Sequence, residues 1–372
     1  MVRPRAKTYY ERWMVKEGVP IVDGLVVPDV SQMPLRHWKR LGCDGAYLQL
    51  TGLQGITGAY VGKIAPGVMS EPEKHLYEKL IYIIQGEGVA EVQQRNRVPQ
   101  AFRWQAGSLF APPINATHRL TNYSNQPALF LAVTTAPMVL DHFHHERFVF
   151  NSDFSFSDRY DGEADFFTAG EQRYLAAHNR QWISETNFIA DVRQENINAH
   201  EQKGARVRTL QFELANNTLI AQLAQWPVAG YHKAYCQGGG TVLMILRSRG
   251  YSLMWPMEFG MRPYESGFGD RVTRVDWAPG TVFSPPANWF QQHFNTGNEA
   301  AMQLALGCAS QKFPVGVAVS PAGAGMYTSV KHGGTLIEYA DEDPAIRRDF
   351  AIELRQSGID PGMNLDIAAN DD

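Results

Sequence analysis

Four side chains able to act as acid, base or ligand stand in two short stretches of this 372-residue sequence. Glu73, His75 and Lys79 occupy positions i, i+2 and i+6, and His118 follows in the second stretch. Side chains along a strand alternate between faces, so the first three share one face wherever the chain there is extended. Tyr77 falls on that same face and brings a phenolic hydroxyl. Imidazoles and carboxylates are the groups that hold iron, manganese, nickel or zinc. An ammonium a few ångströms from a divalent ion is repulsive. The residue types therefore contain both the donors for a metal and a cation that opposes one.

The elements that must position them are short. From Ala46 the text becomes runs rich in Tyr, Val, Ile and Phe bounded by Gly, Pro or Asn: Ala46 to Leu50, Gly58 to Ile64, Leu80 to Ile84, Gly88 to Gln93, Ser108 to Ala111 and Leu129 to Thr134. Strands of this length at this spacing predict a sandwich or barrel. The run Trp104 to Pro113 is echoed by Trp277 to Pro286, and the echo continues from Asn115 and Asn122 to Asn288 and Asn295. A repeat of this kind predicts two copies of one domain.

The spacings Gly67, Glu73, His75, Lys79, Gly86 and Gly107, Pro113, Asn115, His118, Asn122 resemble the two motifs of the cupin superfamily. The departures are Asn115, where the family usually has a second glycine, Glu73 in place of the first His, and Lys79 in place of the Glu. The resemblance implies an all-β chain of two cupin (double-stranded β-helix or jelly-roll) barrels, with short helices in arm, connector and C-terminus. The expected divisions are an arm over residues 1–45, a barrel with the candidate active site over 46–136, a connector over 137–206, a second barrel with a degenerate metal site over 207–313 and a C-terminal extension over 314–372. The resemblance brings Glu73, His75 and His118 together as metal ligands, with Lys79 and Tyr77 as catalytic residues beside them. In layout it is similar to gentisate-type dioxygenases, which implies Fe(II), molecular oxygen and a small aromatic or acidic substrate. Lys79 leaves three outcomes open: it snorkels away from a three-ligand site, it pairs with Glu73 and replaces the metal, or it serves as a neutral amine. The other functions that fit are a lyase, decarboxylase or isomerase using Lys79, with or without a metal, and a metal-free binding protein.

In the second copy the same positions hold Tyr235, Gln237, Thr241 and Gln291, none a usual ligand of a catalytic metal, so this barrel is expected to hold no ion. His232 and His293 lie near them and read as core histidines, and Cys236 should point out of the barrel. Tyr82 reads as core. Asp141, His142, His144, His145 and Glu146 form a cluster expected to be solvated. The polar segment Glu171 to Glu195 permits a helix, Trp255 to Asp270 reads as a loop at a barrel mouth, and Pro344 to Ser357 has helical spacing ended by Gly358, followed by a polar tail through Asp371 and Asp372. Charges are interspersed with a net of −4, which favours a small-molecule partner over nucleic acid or a membrane surface. Met1 to Lys16 has no apolar core and no run reaches about 20 apolar residues, so a cytoplasmic protein is expected. Cys43, Cys236 and Cys308 read as reduced and buried. The aromatic arm, which cupins often exchange between subunits, implies a homo-oligomer.

Overall fold

The structure, a computed structural model, describes residues 6–168, 170–176, 180–315 and 325–360. The strand Ala128–Thr134 shows how the sequence builds it. Every residue of this apolar run is buried, as expected of a strand covered on both faces, and it lies between the antiparallel strands Gly58–Ile64 and Lys79–Gln85. Phe130 and Ala132 fill one barrel, whereas Leu129, Leu131 and Val133 enter a core shared with Leu210, Leu223, Leu304 and Leu306 of the second copy. The chain is thus all-β: two jelly-roll barrels set face to face across a dry aliphatic layer, with one further core inside each. Tyr82 packs in the shared layer, as its core reading expected. Glu78 pins the two copies from the first barrel's side, its Oε2 accepting from Thr218 N (2.8 Å) and Leu219 N (3.0 Å).

The duplication reaches further than the barrels. Asp29-Val-Ser-Gln32 in the arm is echoed by Asp191-Val-Arg-Gln194 in the connector, and each forms a short 3-10 turn capped by its Asp. Val30 N donates to Gly280 O at 3.1 Å and Val192 N to Gly107 O at 3.0 Å, which are equivalent glycines of opposite copies. Arm strand Val26–Val27 pairs with Val282–Phe283 of the second barrel, and connector strand Phe188–Ile189 pairs with Leu109–Phe110 of the first. Each lead-in segment therefore completes the sheet of the other barrel. The helix-permitting text of Glu171 to Glu195 forms strands instead, Gln172–Leu175, Trp182–Glu185 and Phe188–Ile189. Parallel pairing of Trp182–Glu185 with Arg208–Glu213 supplies partners that local propensity does not register.

Four helices finish the described chain. α1 (Tyr9–Lys16) starts with a capping box in which Thr8 and Glu11 satisfy each other's backbone N–H. α2 (Ala136–Phe143) and α3 (Glu146–Asn151) follow the first barrel and hold α1 through Asp141, which accepts from Tyr10 N at 2.7 Å. Trp13 and Trp38 of the arm are buried in the core of their own chain. α4 (Pro344–Gln356) runs as its periodicity predicts, with Asp343 as cap and Gly358 at φ 71° after its end. Ile346, Phe350 and Leu354 cover Tyr251 and Phe294 on the outside of the second barrel, while Ile352 of the same helix is exposed. Cys236 lies in this outer layer, consistent with pointing away from the interior, and all three cysteines are free and buried. Of the expected loop Trp255 to Asp270, Trp255 and Pro256 end the strand Gly250–Pro256, and the rest forms a loop closed by stacking of Phe259 on Phe268. The polar tail with Asp371 and Asp372 lies outside the described residues. Among the described residues no helix is long and apolar enough to cross a membrane.

Candidate functional site in the first barrel

Lys79 opens the strand Lys79–Gln85 and is fully buried, at 0% exposure. Glu73 and His75 are not on that strand. They lie in the segment before it, where Glu73 forms a single antiparallel bridge with His118: Glu73 N donates to His118 O (2.8 Å) and His118 N to Glu73 O (2.9 Å). Asn115 N donates to His75 O at 3.0 Å. The shared face anticipated from strand parity thus arises from cross-pairing with the second motif. Asn115 has φ 58°, a left-handed conformation that glycine or asparagine adopts at least cost, and its Nδ2 donates to Phe154 O at 2.7 Å. The missing glycine of the motif is therefore replaced by a residue that keeps the turn and ties it to the connector.

The Lys79 ammonium sits between the acid and one imidazole. Its Nζ donates to Glu73 Oε1 at 2.6 Å and lies 3.1 Å from His118 Nε2. His118 Nδ1 lies 3.2 Å from Ala116 O, which can only accept; Nδ1 therefore carries the proton and Nε2 offers its lone pair to Lys79. His75 is held likewise, with Nδ1 donating to Tyr77 O at 2.8 Å, but its buried Nε2 has no partner among the described residues. Tyr77 lies flat on His75, ring centres 3.7 Å apart at 5°, so it fixes the imidazole plane. Arg40, which sequence reasoning passed over, reaches in from the arm. Its Nη1 donates to Glu73 Oε2 at 3.1 Å, its Nε donates to Glu17 Oε2 at 2.8 Å, and its guanidinium lies over Trp13, Trp38 and Phe150. Arg40 and Glu17 stand far from either motif, and nothing in their spacing marks them.

These contacts set the charges. Burial pushes the Glu73 carboxyl up, but Lys79, then His118 and Arg40, pull it down further and leave it well below the usual carboxylate range. Burial lowers Lys79, against the upward pull of Glu73. Burial and then Lys79 bring His118 down to about 4 and hold His75 well below its ordinary value, so both imidazoles are neutral at pH 7. Burial raises the Tyr77 phenol.

Glu73, His75 and His118 each present a ligand atom within 4.8 Å of the others, close enough for one ion to bridge all three. The donor set fits a metal on that count and through the free Nε2 of His75. It does not fit on another: the single available lone pair of His118 already accepts from Lys79, and the ammonium lies 2.6 Å from the carboxylate. Of the outcomes open for Lys79, snorkelling to solvent is excluded by its complete burial, and pairing with Glu73 is what the geometry displays. Trp13 of α1, Arg40 and Phe150 of α3 close over this cluster, with Leu76 N donating to Val149 O at 2.9 Å.

Residues 60–134 match the family model described as Cupin domain. Among solved structures the chain is similar to vicilin from hazelnut, Corylus avellana (10% identity, TM-score 0.47, 76% of this chain and 85% of that one). It is similar also to oxalate decarboxylase of Bacillus subtilis (13% identity, TM-score 0.47, 77% of this chain and 78% of that one). No curated protein matches.

The second barrel repeats the frame of the first without the ligand set. Tyr235 pairs with Gln291 as Glu73 does with His118, which is the register the internal repeat predicts. Gln291 has both its Nε2 and its Oε1 buried without a partner among the described residues. Outside the barrels, His142, His144 and His145 are exposed and Asp141 and Glu146 partly so. His142 lies in the last turn of α2, His144 caps its end, His145 caps α3, and Glu146 pairs with Lys16 at 2.7 Å, so the cluster is solvated and structural.

Proposed function

We propose that the first barrel carries out proton transfer on a small metabolite, in the manner of an isomerase or lyase, with Lys79 standing where the cupin resemblance expects an ion. One observation carries this reading: a neutral imidazole with a free, buried lone pair, His75 Nε2, shares a dry cluster with a buried ammonium. An unpartnered buried polar atom costs about 1–3 kcal/mol, and such groups concentrate where a ligand will supply the partner. His75 Nε2 takes a proton from a carbon next to a carbonyl or carboxylate. Lys79 swings a hydrogen bond from His118 to the oxygen on which negative charge develops. The proton on His75 then returns to a neighbouring carbon, giving an isomer, or stays while a β-substituent leaves with the electron pair. Glu73 and Arg40 hold Lys79 in place and keep it charged. Tyr77, stacked on the base, positions it. Entry requires α1 and α3 to part, because Trp13 and Phe150 cover the cluster.

The test is solvent exchange. Small oxo- and hydroxy-acids incubated in D2O with the protein should include one whose α-proton is replaced, read by proton NMR, and the exchange should vanish in His75→Gln and in Lys79→Met. A second reading, an iron-dependent dioxygenase, is favoured by the 4.8 Å convergence of Glu73, His75 and His118 and requires Lys79 to release His118. About one iron per chain after purification without chelator, together with oxygen uptake on turnover, would establish that reading and end the first.

A further inference from the structure

The interior of the second barrel is rich in unsatisfied donors around a cation. Lys203 is 2% exposed, its Nζ donates to Gln222 Oε1 at 2.8 Å, and no carboxylate pairs with it among the described residues. Its Nζ lies 5.0 Å from the Tyr235 ring centre, on the inward face that Tyr235 shares with its partner Gln291. His293 stands two residues further along that strand. Trp277 Nε1 donates to Ser252 Oγ at 3.1 Å, which leaves the serine hydroxyl to donate to His293 Nδ1 at 2.7 Å. His293 therefore carries its proton on Nε2, a buried donor with no partner among the described residues. Gln291 at 0% exposure, and Gln303 at 3%, add amide donors that are likewise unpartnered.

A buried cation with no carboxylate beside it among the described residues, set against Tyr235 in an interior that also holds idle N–H groups and the ring of Trp226 beside His293, suits an anion with an apolar body. We propose that the second barrel binds a small organic carboxylate, with Lys203 neutralising it and His293 and Gln291 donating to its oxygens. Burial with no acid nearby lowers the Lys203 ammonium to about 8, so a bound carboxylate restores the charge balance that the protein does not supply. The site needs neither a metal nor the first barrel, so it is independent of the reading above.

Thermal unfolding of the full chain with acetate, succinate, oxalate or benzoate, each against chloride and inorganic phosphate at equal ionic strength, tests it. At least one carboxylate should raise the Tm by several degrees with saturating dependence, and isothermal titration should give one site per chain. Lys203→Met and Gln291→Leu should each weaken that binding at least tenfold, whereas Lys79→Met leaves it unchanged. Gln291→Leu keeps the charge and serves if Lys203→Met fails to fold. No saturable response to any carboxylate beyond that to chloride, or binding unaltered in both second-barrel variants, would overturn the assignment, and a response to phosphate alone would replace the carboxylate by an inorganic anion.

Discussion

The two barrels share a frame and solve the same electrostatic problem in opposite ways. In the first, the buried Lys79 is clamped between Glu73 and His118, and Arg40 completes the carboxylate's bonds. In the second, Lys203 is buried and among the described residues donates to a neutral amide, while His293 Nε2 and the amide nitrogens of Gln291 and Gln303 have no partner there. A charge taken out of water must be compensated, so one interior is internally complete and the other awaits a partner. Duplication supplied two equal cans; which side chains enter from the arm and the connector made them different.

Removing the acid should break that contrast most forcefully. Glu73→Gln leaves Lys79 buried without its counter-charge and Arg40 with Glu17 alone, and breaking such a network is expected to cost about 3–5 kcal/mol. Urea unfolding at pH 7 reads this as a lower midpoint at unchanged slope. A loss under about 1 kcal/mol would mean that the ion pairs are solvated and the first barrel is not a closed network.

Removing the cation should sharpen it. Lys79→Met leaves Glu73 with Arg40, so the expected loss is smaller, about 1–3 kcal/mol. The same change frees His118 Nε2, and with His75 and Glu73 it restores three donors within 4.8 Å. The variant should therefore take up close to one zinc or cobalt per chain where the parent takes up far less, measured by elemental analysis or by the visible absorption of cobalt. Equal uptake by both proteins would refute the idea that Lys79 holds the place of an ion.

How much of this was legible beforehand depends on the range of each interaction. The strands Gly58–Ile64 and Ala128–Thr134 were readable because composition and local turns decide them. Glu73, His75, Lys79 and His118 were readable as a group because the glycine and proline frame of the motifs fixes their neighbourhood. Arg40 was not, since it enters from a segment whose own text has no period and whose place is set by pairing between distant strands. Lys203 lies on a 3-10 turn near the end of a connector whose text reads as polar loop, so its burial in a barrel had no local mark. The strands of the connector were hidden for the same reason, although the echo of Asp29-Val-Ser-Gln32 in Asp191-Val-Arg-Gln194 was on the page to show that the repeat starts before the barrels.

A third prediction reverses the sign of the second. Lys203→Met removes a buried cation that has no acid partner among the described residues, and an apolar side chain of similar length should be neutral or stabilising by about 1–3 kcal/mol at pH 7 in the absence of ligand. The sign with pH follows from linkage. The folded value of about 8 lies below the ordinary 10.5, so between these limits the folded state binds fewer protons than the unfolded one, and stability of the parent rises with pH. The groups facing Lys203, namely His232, His293, Tyr235 and Tyr327, are neutral through that window because burial lowers the imidazoles and raises the phenols. The advantage of Lys203→Met should thus be full below pH 8 and shrink by at most about 1.4 kcal/mol per unit as pH rises toward 10.5. Denaturant midpoints of parent and variant at pH 7 and pH 10 measure it, and a gap that widens would show that an acid does pair with Lys203.

The smallest expected effect concerns α1 and α3, which cover the cluster of the first barrel. Lys16 of α1 reaches Glu146 of α3 at 2.7 Å, but the lysine is 67% exposed, and water and salt screen such a pair until it contributes little to stability. Lys16→Ala should therefore leave global stability almost unchanged. Local opening is a separate quantity from global unfolding, and α1 is otherwise tied to its neighbours by the Tyr10 to Asp141 bond, the Tyr9–His144 stack and the Trp13–Phe150 contact. Loss of one tether should speed amide hydrogen exchange across α1 to α3 by a few-fold while exchange in α4, on the outside of the second barrel, stays as it was. If exchange rose equally in α4, the opening would be global, and α1 and α3 would not be a separate cover over Glu73, His75 and Lys79.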